Sequence, residues 1–203
     1  MINQIFIIHH PSLKERKEYL DSKFKHYNTQ NIFWESNIYT QNDFNLLNSS
    51  LDFKSTDVSF RHQQCLKNII LNNYEYSLIL EDDVILELLN NLDINVFLDK
   101  CVEEMKQKNS VLCFNGITDG IGLPSTFDLN DLIYHESGFT TRCCHSYIVA
   151  NAAAKVLNTD FNYQKPVDHM YNDIIIKNNI KSYYTKFGFE QGTVVGRYKS
   201  VIR

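Results

Sequence analysis

Apolar and polar positions fall into blocks along the 203-residue chain, and each block carries its own period. Ile5-Phe6-Ile7-Ile8 is an apolar run of strand length. After Pro11-Ser12, the residues Leu13, Tyr19, Leu20 and Phe24 recur near helical spacing among charges as far as Lys25. Ile32-Phe33-Trp34, within Asn31 to Glu35, predicts a second strand, and the polar, Asn- and Ser-rich stretch from Thr40 to Ser55 predicts a loop. Ser59 is placed to cap a helix from Phe60 to about Asn72, with Leu66, Ile69 and Ile70 on its inner stripe. That helix feeds an uncharged apolar run, Leu78-Ile79-Leu80, of the kind a buried parallel strand shows, and the run stops at Glu81-Asp82-Asp83.

In the second half Ile94, Phe97, Leu98, Cys101, Val102 and Met105 repeat at threes and fours, and the apolar Val111-Leu112-Cys113-Phe114 follows as a strand. Asn115 to Asn130 holds Gly116, Gly120, Gly122 and Pro124, which predicts a loop. Ser146 to Ala150 reads as a strand, Asn151 to Leu157 as a short alanine-rich helix, and Val167 to Asn178 as a helix starting near Asp168. The tail from Glu190 to Arg203 has little periodicity and is expected to act as a lid or tail. Strands alternating with helices predict an α/β sandwich, a mainly parallel mixed sheet flanked by helices, in one domain over 1–203.

The acid run is the first sign of chemistry. Carboxylates at the carboxyl end of a strand in an open α/β sheet lie where such sheets bind ligands, and three mutually repelling acids there are best stabilised by a divalent cation. An acidic triplet occurs by chance in about a third of chains this long, so its surroundings must decide. Net charge is −4 and no basic cluster is present, which disfavours nucleic acid as a partner. A phosphate ligand must then be neutralised locally, by a cation and a few side chains. No phosphate-cradling Gly-x-Gly-x-x-Gly is found.

Cys65, Cys101, Cys113, Cys143 and Cys144 show no Cys-x-x-Cys spacing and read as reduced thiols. The start lacks a basic, long apolar leader and no uncharged stretch approaches membrane-span length, so a cytoplasmic protein is expected.

Taken in order, four segments resemble glycosyltransferase family 25, the group that includes lipooligosaccharide and collagen galactosyltransferases. Ile7-Ile8 with Ser12, Glu15 and Arg16 is similar to the family's opening strand and its Ser-x-x-Arg-type turn, with His9-His10 in place of the usual Asn-Leu. Ser59-Phe60-Arg61-His62 ahead of the acids resembles the family's Ser-His ahead of its Glu-Asp-Asp, with two residues intervening between Ser59 and His62. His145-Ser146-Tyr147-Ile148-Val149 with Ala152 to Leu157 resembles a Tyr-Leu-Ile-Ser strand and its Gly-Ala helix, Ala153 standing where glycine is common. Pro166-Val167-Asp168 matches the family's Pro-Val-Asp, and Gln191 with Ser200 echoes a terminal Gln followed by Ser-x-Ile. Order and spacing agree over about three quarters of the chain.

The resemblance implies a GT-A-type nucleotide-binding fold and an inverting, metal-dependent transfer of a hexose, galactose from UDP-galactose, onto a glycan, lipid-linked saccharide or hydroxylated protein, as in lipooligosaccharide biosynthesis. A lipid-linked acceptor would bring transient contact with the inner face of a membrane. Mn²⁺ or Mg²⁺ would be held by Glu81 and Asp83, with Asp82 near metal-bound water or the ribose. His62 would donate to a phosphate or fix the acidic loop, and is otherwise a buried histidine; Arg16 would pair with a phosphate or with the acids, and is otherwise an exposed helix residue. Asp168 is a helix cap by default and, under the resemblance, the general base or a sugar ligand. His145 would reach the sugar or metal, or else lie in the core, and Tyr147 reads as core or pocket wall. Two other classes fit the residues: a metal-dependent phosphotransferase or phosphohydrolase, and a catalytically inactive carbohydrate-binding protein of the same fold.

Overall fold

Each short apolar run becomes a strand of a single mixed sheet, and the amphipathic blocks pack on its two faces. The computed structural model describes residues 1–25, 31–86, 93–117, 133–134, 144–193 and 196–198. In chain order the elements are β1 (Gln4–Ile8), α1 (Lys14–Lys23), β2 (Ile32–Glu35), α2 (Gln41–Phe44), α3 (Phe53–Leu71), β3 (Tyr76–Glu81), β4 (Val84–Ile85), α4 (Ile94–Gln107), β5 (Leu112–Ile117), β6 (Ile133–Tyr134), β7 (Ser146–Ala150), α5 (Asn151–Thr159), α6 (Val167–Lys177) and β8 (Ser182–Gln191). The sheet runs β2-β1-β3-β7-β5-β8-β4, with β6 against β8. Among the described strands β1, β2, β3, β5 and β8 share one direction, and β7, inserted antiparallel between β3 and β5, runs the other way.

The period-2 alternation of the strands divides the core. Ile5, Ile7, Leu78, Leu80, Cys113 and Ile148 face α1 and α4, where Leu20, Phe97, Leu98, Cys101 and Met105 meet them. Phe6, Ile79, Phe114, Tyr147 and Val149 face the other way, onto Cys65, Leu66 and Ile69 of α3, Ala154 and Leu157 of α5, and Met170 and Ile174 of α6. The molecule is therefore three layers deep, with the sheet in the middle. Cys65, Cys101, Cys113 and Cys144 are buried free thiols, and Cys143 lies outside the described residues.

Three helices end the same way. Asn73, Asn109 and Asn179 take positive φ of 52°, 52° and 51° just past α3, α4 and α6. The next residue's N–H then reaches back five residues, as Tyr74 to Ile69, Ser110 to Met105 and Ile180 to Ile175. Asparagine tolerates this left-handed geometry, so a chain with few glycines still turns each helix tightly into the following strand.

Several sequence expectations change. The helix expected from Phe60 starts at Phe53, because the Asp52 side chain accepts the Ser55 N–H at 2.7 Å and supplies the cap. Ser59 is consequently buried inside α3 and caps nothing. The expected loop from Thr40 also contains α2, opened by a reciprocal Thr40–Asp43 capping box. At Asn115 the chain is still in strand, β5 continuing to Ile117, and most of the expected loop, 118–132, lies outside the described residues. Ser182–Gln191 is a strand that periodicity did not predict, and Gly192, Thr193 and Tyr198 beyond it pack on the acidic turn. Among the described residues no helix is long and apolar enough to cross a membrane.

Candidate functional site

Because β1, β3 and β8 point the same way, Ile8-His9-His10, Glu81-Asp82-Asp83 and Gln191-Gly192-Thr193 arrive together at the carboxyl edge of the sheet. The antiparallel β7 brings its amino end, Cys144-His145, to the same edge. This is the edge at which open α/β sheets bind ligands. A cleft of about 240 Å³ opens there between His9, His10, Leu13, Arg16, Asp57 and the three acids. A second, of about 220 Å³, lies between Ser55, Ser59, His145, Val167 and Asp168. The two adjoin at Val58, Glu81 and Gln191, which line both. A more apolar cavity of about 370 Å³, walled by Ile38, Tyr39 and Phe53, borders the first at His10, Asp57, Val58 and Arg61.

The three consecutive acids have three different environments. Asp82 is buried and saturated: Oδ1 accepts from Arg16 Nη1 at 2.6 Å, and Oδ2 accepts from the His9 ring at 2.9 Å and the His10 N–H at 3.1 Å. It is committed to joining β1, α1 and the acidic turn and is not an open ligand group. Arg16 is buried with it and also lies over the Tyr198 ring at 5.1 Å.

Asp83 is the opposite case. It is buried, yet only Oδ2 has a partner, the Thr193 hydroxyl at 2.8 Å, and Oδ1 is left without one among the described residues. Burial and then the Glu81 charge push its carboxyl up to about 6, against the opposing Thr193 hydrogen bond.

Glu81, facing both clefts, accepts from His62 Nε2 at 3.2 Å. With Nε2 donating, His62 Nδ1 accepts from the Tyr147 hydroxyl at 3.0 Å, and Tyr147 is joined at 3.0 Å to Tyr171. His62 is fully buried and lines neither cleft, so of the two expectations for it the contact with Glu81, which fixes the acidic turn, is the one its position allows. Tyr147 is core, its hydroxyl raised far above its usual range by burial.

Asp168 occupies the first turn of α6 and caps nothing: Pro166 is the N-cap, and Asp168 Oδ1 accepts only the next N–H, His169, at 2.8 Å. Asp168 is only partly buried and lines the second cleft. His145, also on that cleft, is buried and donates Nε2–H to the Phe189 carbonyl at 3.0 Å. Burial holds its pKa below the usual histidine value and so favours the neutral ring.

Among the described residues no three His, Cys, Asp or Glu side chains converge as a cation cage. The donors that are present still fit a hard cation completed by ligand oxygens and water. Asp83 Oδ1 is an orphaned anionic oxygen beside the Glu81 carboxylate, and their repulsion is what a Mg²⁺- or Mn²⁺-like ion relieves.

Sequence reasoning passed over Thr193, Asp57 and the structural work of Arg61. Arg61 bonds Asp57 at 2.9 Å and the carbonyls of Glu35 and Asn37 at 3.1 and 2.8 Å, tying α3 to the end of β2. The Asp57-to-Arg61 spacing of four within a helix was the available signal.

No family model matches the chain, and no curated protein matches it. Two solved structures are similar to it in part. A197 from STIV superposes with a TM-score of 0.52 at 12% identity, covering 91% of this chain and 81% of that one. A glycosyltransferase involved in the glycosylation of the major capsid of PBCV-1 gives a TM-score of 0.45 at 13% identity, covering 78% and 66%. At this identity the first likeness speaks to the α/β fold alone.

Proposed function

We propose that this protein is a GT-A-type glycosyltransferase that moves a hexosyl group from a nucleotide diphosphate to a hydroxyl acceptor with inversion, using a divalent cation. The observation that carries the reading is the adjoining of the two clefts. The acids suited to a cation, Glu81 and Asp83, line one, and a carboxylate open to a ligand, Asp168, lines the other, with Glu81 common to both. A donor spanning them would set its diphosphate beside Glu81 and Asp83 and its sugar toward Asp168. Its nucleoside would extend past His10 toward the apolar cavity at Tyr39 and Phe53.

Glu81 and Asp83 would hold Mn²⁺ or Mg²⁺, which when bound acts as a Lewis acid toward the negative charge of the departing diphosphate. Asp168 takes the proton of the acceptor hydroxyl as that oxygen bonds to the anomeric carbon from the face opposite the phosphate. The bond from that carbon to the phosphate oxygen breaks and its electron pair leaves with the nucleotide diphosphate. Arg16 acts through Asp82, and His62 acts through Glu81. His145, neutral and anchored to Phe189, shapes the sugar pocket. The sequence resemblance favours UDP-galactose as donor and a glycan, lipid-linked saccharide or hydroxylated protein as acceptor.

The test is a panel of nucleotide-sugars with Mn²⁺, with Mg²⁺ and with chelator, scored by release of nucleotide diphosphate. Cation-dependent turnover of a UDP-hexose, reduced roughly 10²-fold or more in Asp168→Asn, is expected. Turnover of simple phosphoesters instead, or sugar binding with no transfer and no effect of Asp168→Asn, would overturn the reading.

A further inference from the structure

We infer that His9 is a phosphoanion-binding side chain of the first cleft, with Asp82 holding its imidazole so that Nε2 donates a hydrogen bond to a phosphoryl oxygen. The assignment of that oxygen to the diphosphate of a sugar donor rests on the transferase reading above. The phosphoanion site itself rests on the placement of one ring.

His9 is the first residue past β1, and it is held on all sides. Its N–H donates to the Glu35 carbonyl at 3.0 Å, its own carbonyl accepts from Arg61 Nη1 at 3.4 Å, and its ring meets Trp34 edge-on with centroids 5.3 Å apart. Nδ1 lies 2.9 Å from Asp82 Oδ2. An ionised carboxylate has no proton to give, so Nδ1–H donates and the ring orientation is determined. What remains is Nε2, on a ring that is 3% exposed and lines the cleft, with no protein partner among the described residues. A ligand entering the cleft can meet this nitrogen in place of solvent.

The chemistry of the surroundings selects an anion. With Nδ1–H on Asp82, Nε2 is the ring atom left to meet a ligand, and a hydrogen bond from it to an anion uses the doubly protonated ring. The charged groups around the ring are Asp82 and, bonded to Asp82, Arg16 of α1. Arg61 and its partner Asp57 approach from α3, and Glu81 and Asp83 lie across the cleft. Among the described residues of this wall each arginine is paired with an acid, and the edge of the His9 ring that carries Nε2 is left at the cleft. A phosphoryl oxygen is a strong acceptor for a charged N–H. His10 also lines the cleft with Nε2 unpartnered among the described residues, but it is exposed and its ring is held only by Ser12, at 2.7 Å from Nδ1, whereas the His9 ring is buried and fixed by Asp82.

The experiment follows imidazole ¹⁵N signals of the wild-type protein during titration with magnesium pyrophosphate, alongside calorimetry of wild type and His9→Gln. Saturation should move the His9 Nε2 resonance from the unprotonated to the protonated range, and His9→Gln should bind pyrophosphate about tenfold more weakly, the scale of one charge-assisted hydrogen bond. A His9 signal unmoved at saturation, a wild-type protein that takes up no pyrophosphate, or equal affinity in a folded His9→Gln would each overturn the assignment. The wild-type signal decides should the variant not fold. A His9 response without turnover of any nucleotide-sugar would remove the transferase reading and leave the phosphoanion site standing.

Discussion

Arg16 and Asp82 form a 2.6 Å ion pair in which the side chains are 7% and 9% exposed. The middle acid of Glu81-Asp82-Asp83 is thereby a joint between α1 and the acidic turn, and its flanking neighbours are left to line the cleft. Asp82→Ala strands the Arg16 guanidinium and unpairs both His9 Nδ1–H and the His10 N–H. Removing one partner of a buried pair costs roughly 3–5 kcal/mol, and the loss should appear in urea unfolding. A change below about 1 kcal/mol would show that water replaces the lost carboxylate and that the joint is unimportant.

Asp83 should respond in the other direction. Its carboxyl is raised from 3.8 to about 6, so between those values the folded state binds more protons than the unfolded one. Stability is then highest below the unfolded pKa and falls as pH rises through about 6, by on the order of 2–3 kcal/mol for this group alone. Asp83→Asn removes the penalty. It should melt higher than wild type at pH near 7.5 and equal to it near pH 4, with Mn²⁺ raising the melting temperature of wild type only. A variant less stable than wild type at neutral pH would refute the unpaired-carboxylate description.

The contrast between these neighbours explains what the sequence could disclose. β3 was legible because a run buried on both faces has no alternation to blur it, and its acidic tip follows from the first polar residues after that run. The roles within the tip were not legible. Arg16, His9 and Thr193, which distinguish Asp82 from Asp83, come from 66, 73 and 110 positions away. The start of α3 was hidden because Ser55, Thr56, Asp57 and Ser59 are modest helix formers, outweighed by the Asp52 cap and by burial of Thr56 and Ser59. β8 was hidden by Lys186, Gly188 and Glu190 among its aromatics. Gly188 reads as a breaker, yet any Cβ there would collide with the Asn115 carbonyl of the adjoining strand, so close approach demands it.

Tyr147 tests whether the buried relay behind Glu81 holds the site in place. Tyr147→Phe keeps the ring and removes the oxygen, leaving His62 Nδ1 and the Tyr171 hydroxyl facing one another without a link in a dry layer. The cost should be about 1–3 kcal/mol in chemical denaturation. His62 would also lose the constraint that keeps Nε2–H aimed at Glu81, so Mn²⁺ affinity should fall. Unchanged stability and cation affinity would reduce the relay to ordinary packing.

The turn after β8 supplies the last test, because it sets Thr193 on Asp83 through a contact only glycine permits. Gly192 donates its N–H to the Asp83 carbonyl at 2.6 Å, and a Cβ there would lie 2.7 Å from that same oxygen and 2.6 Å from the Tyr198 ring. Gly192→Ala must therefore push the acidic turn and the strand end apart, at about 1–3 kcal/mol, and carry the Thr193 hydroxyl away from Asp83. Thr193→Val removes the same hydrogen bond without the steric push. Since that bond opposes the rise of the Asp83 carboxyl, both variants should raise it further, and cation binding, which needs the carboxylate, should begin at higher pH than in wild type. Cation titrations across pH, with chelator as the zero, separate the outcomes: a common shift assigns the effect to the hydroxyl, and a shift in Gly192→Ala alone assigns it to the backbone.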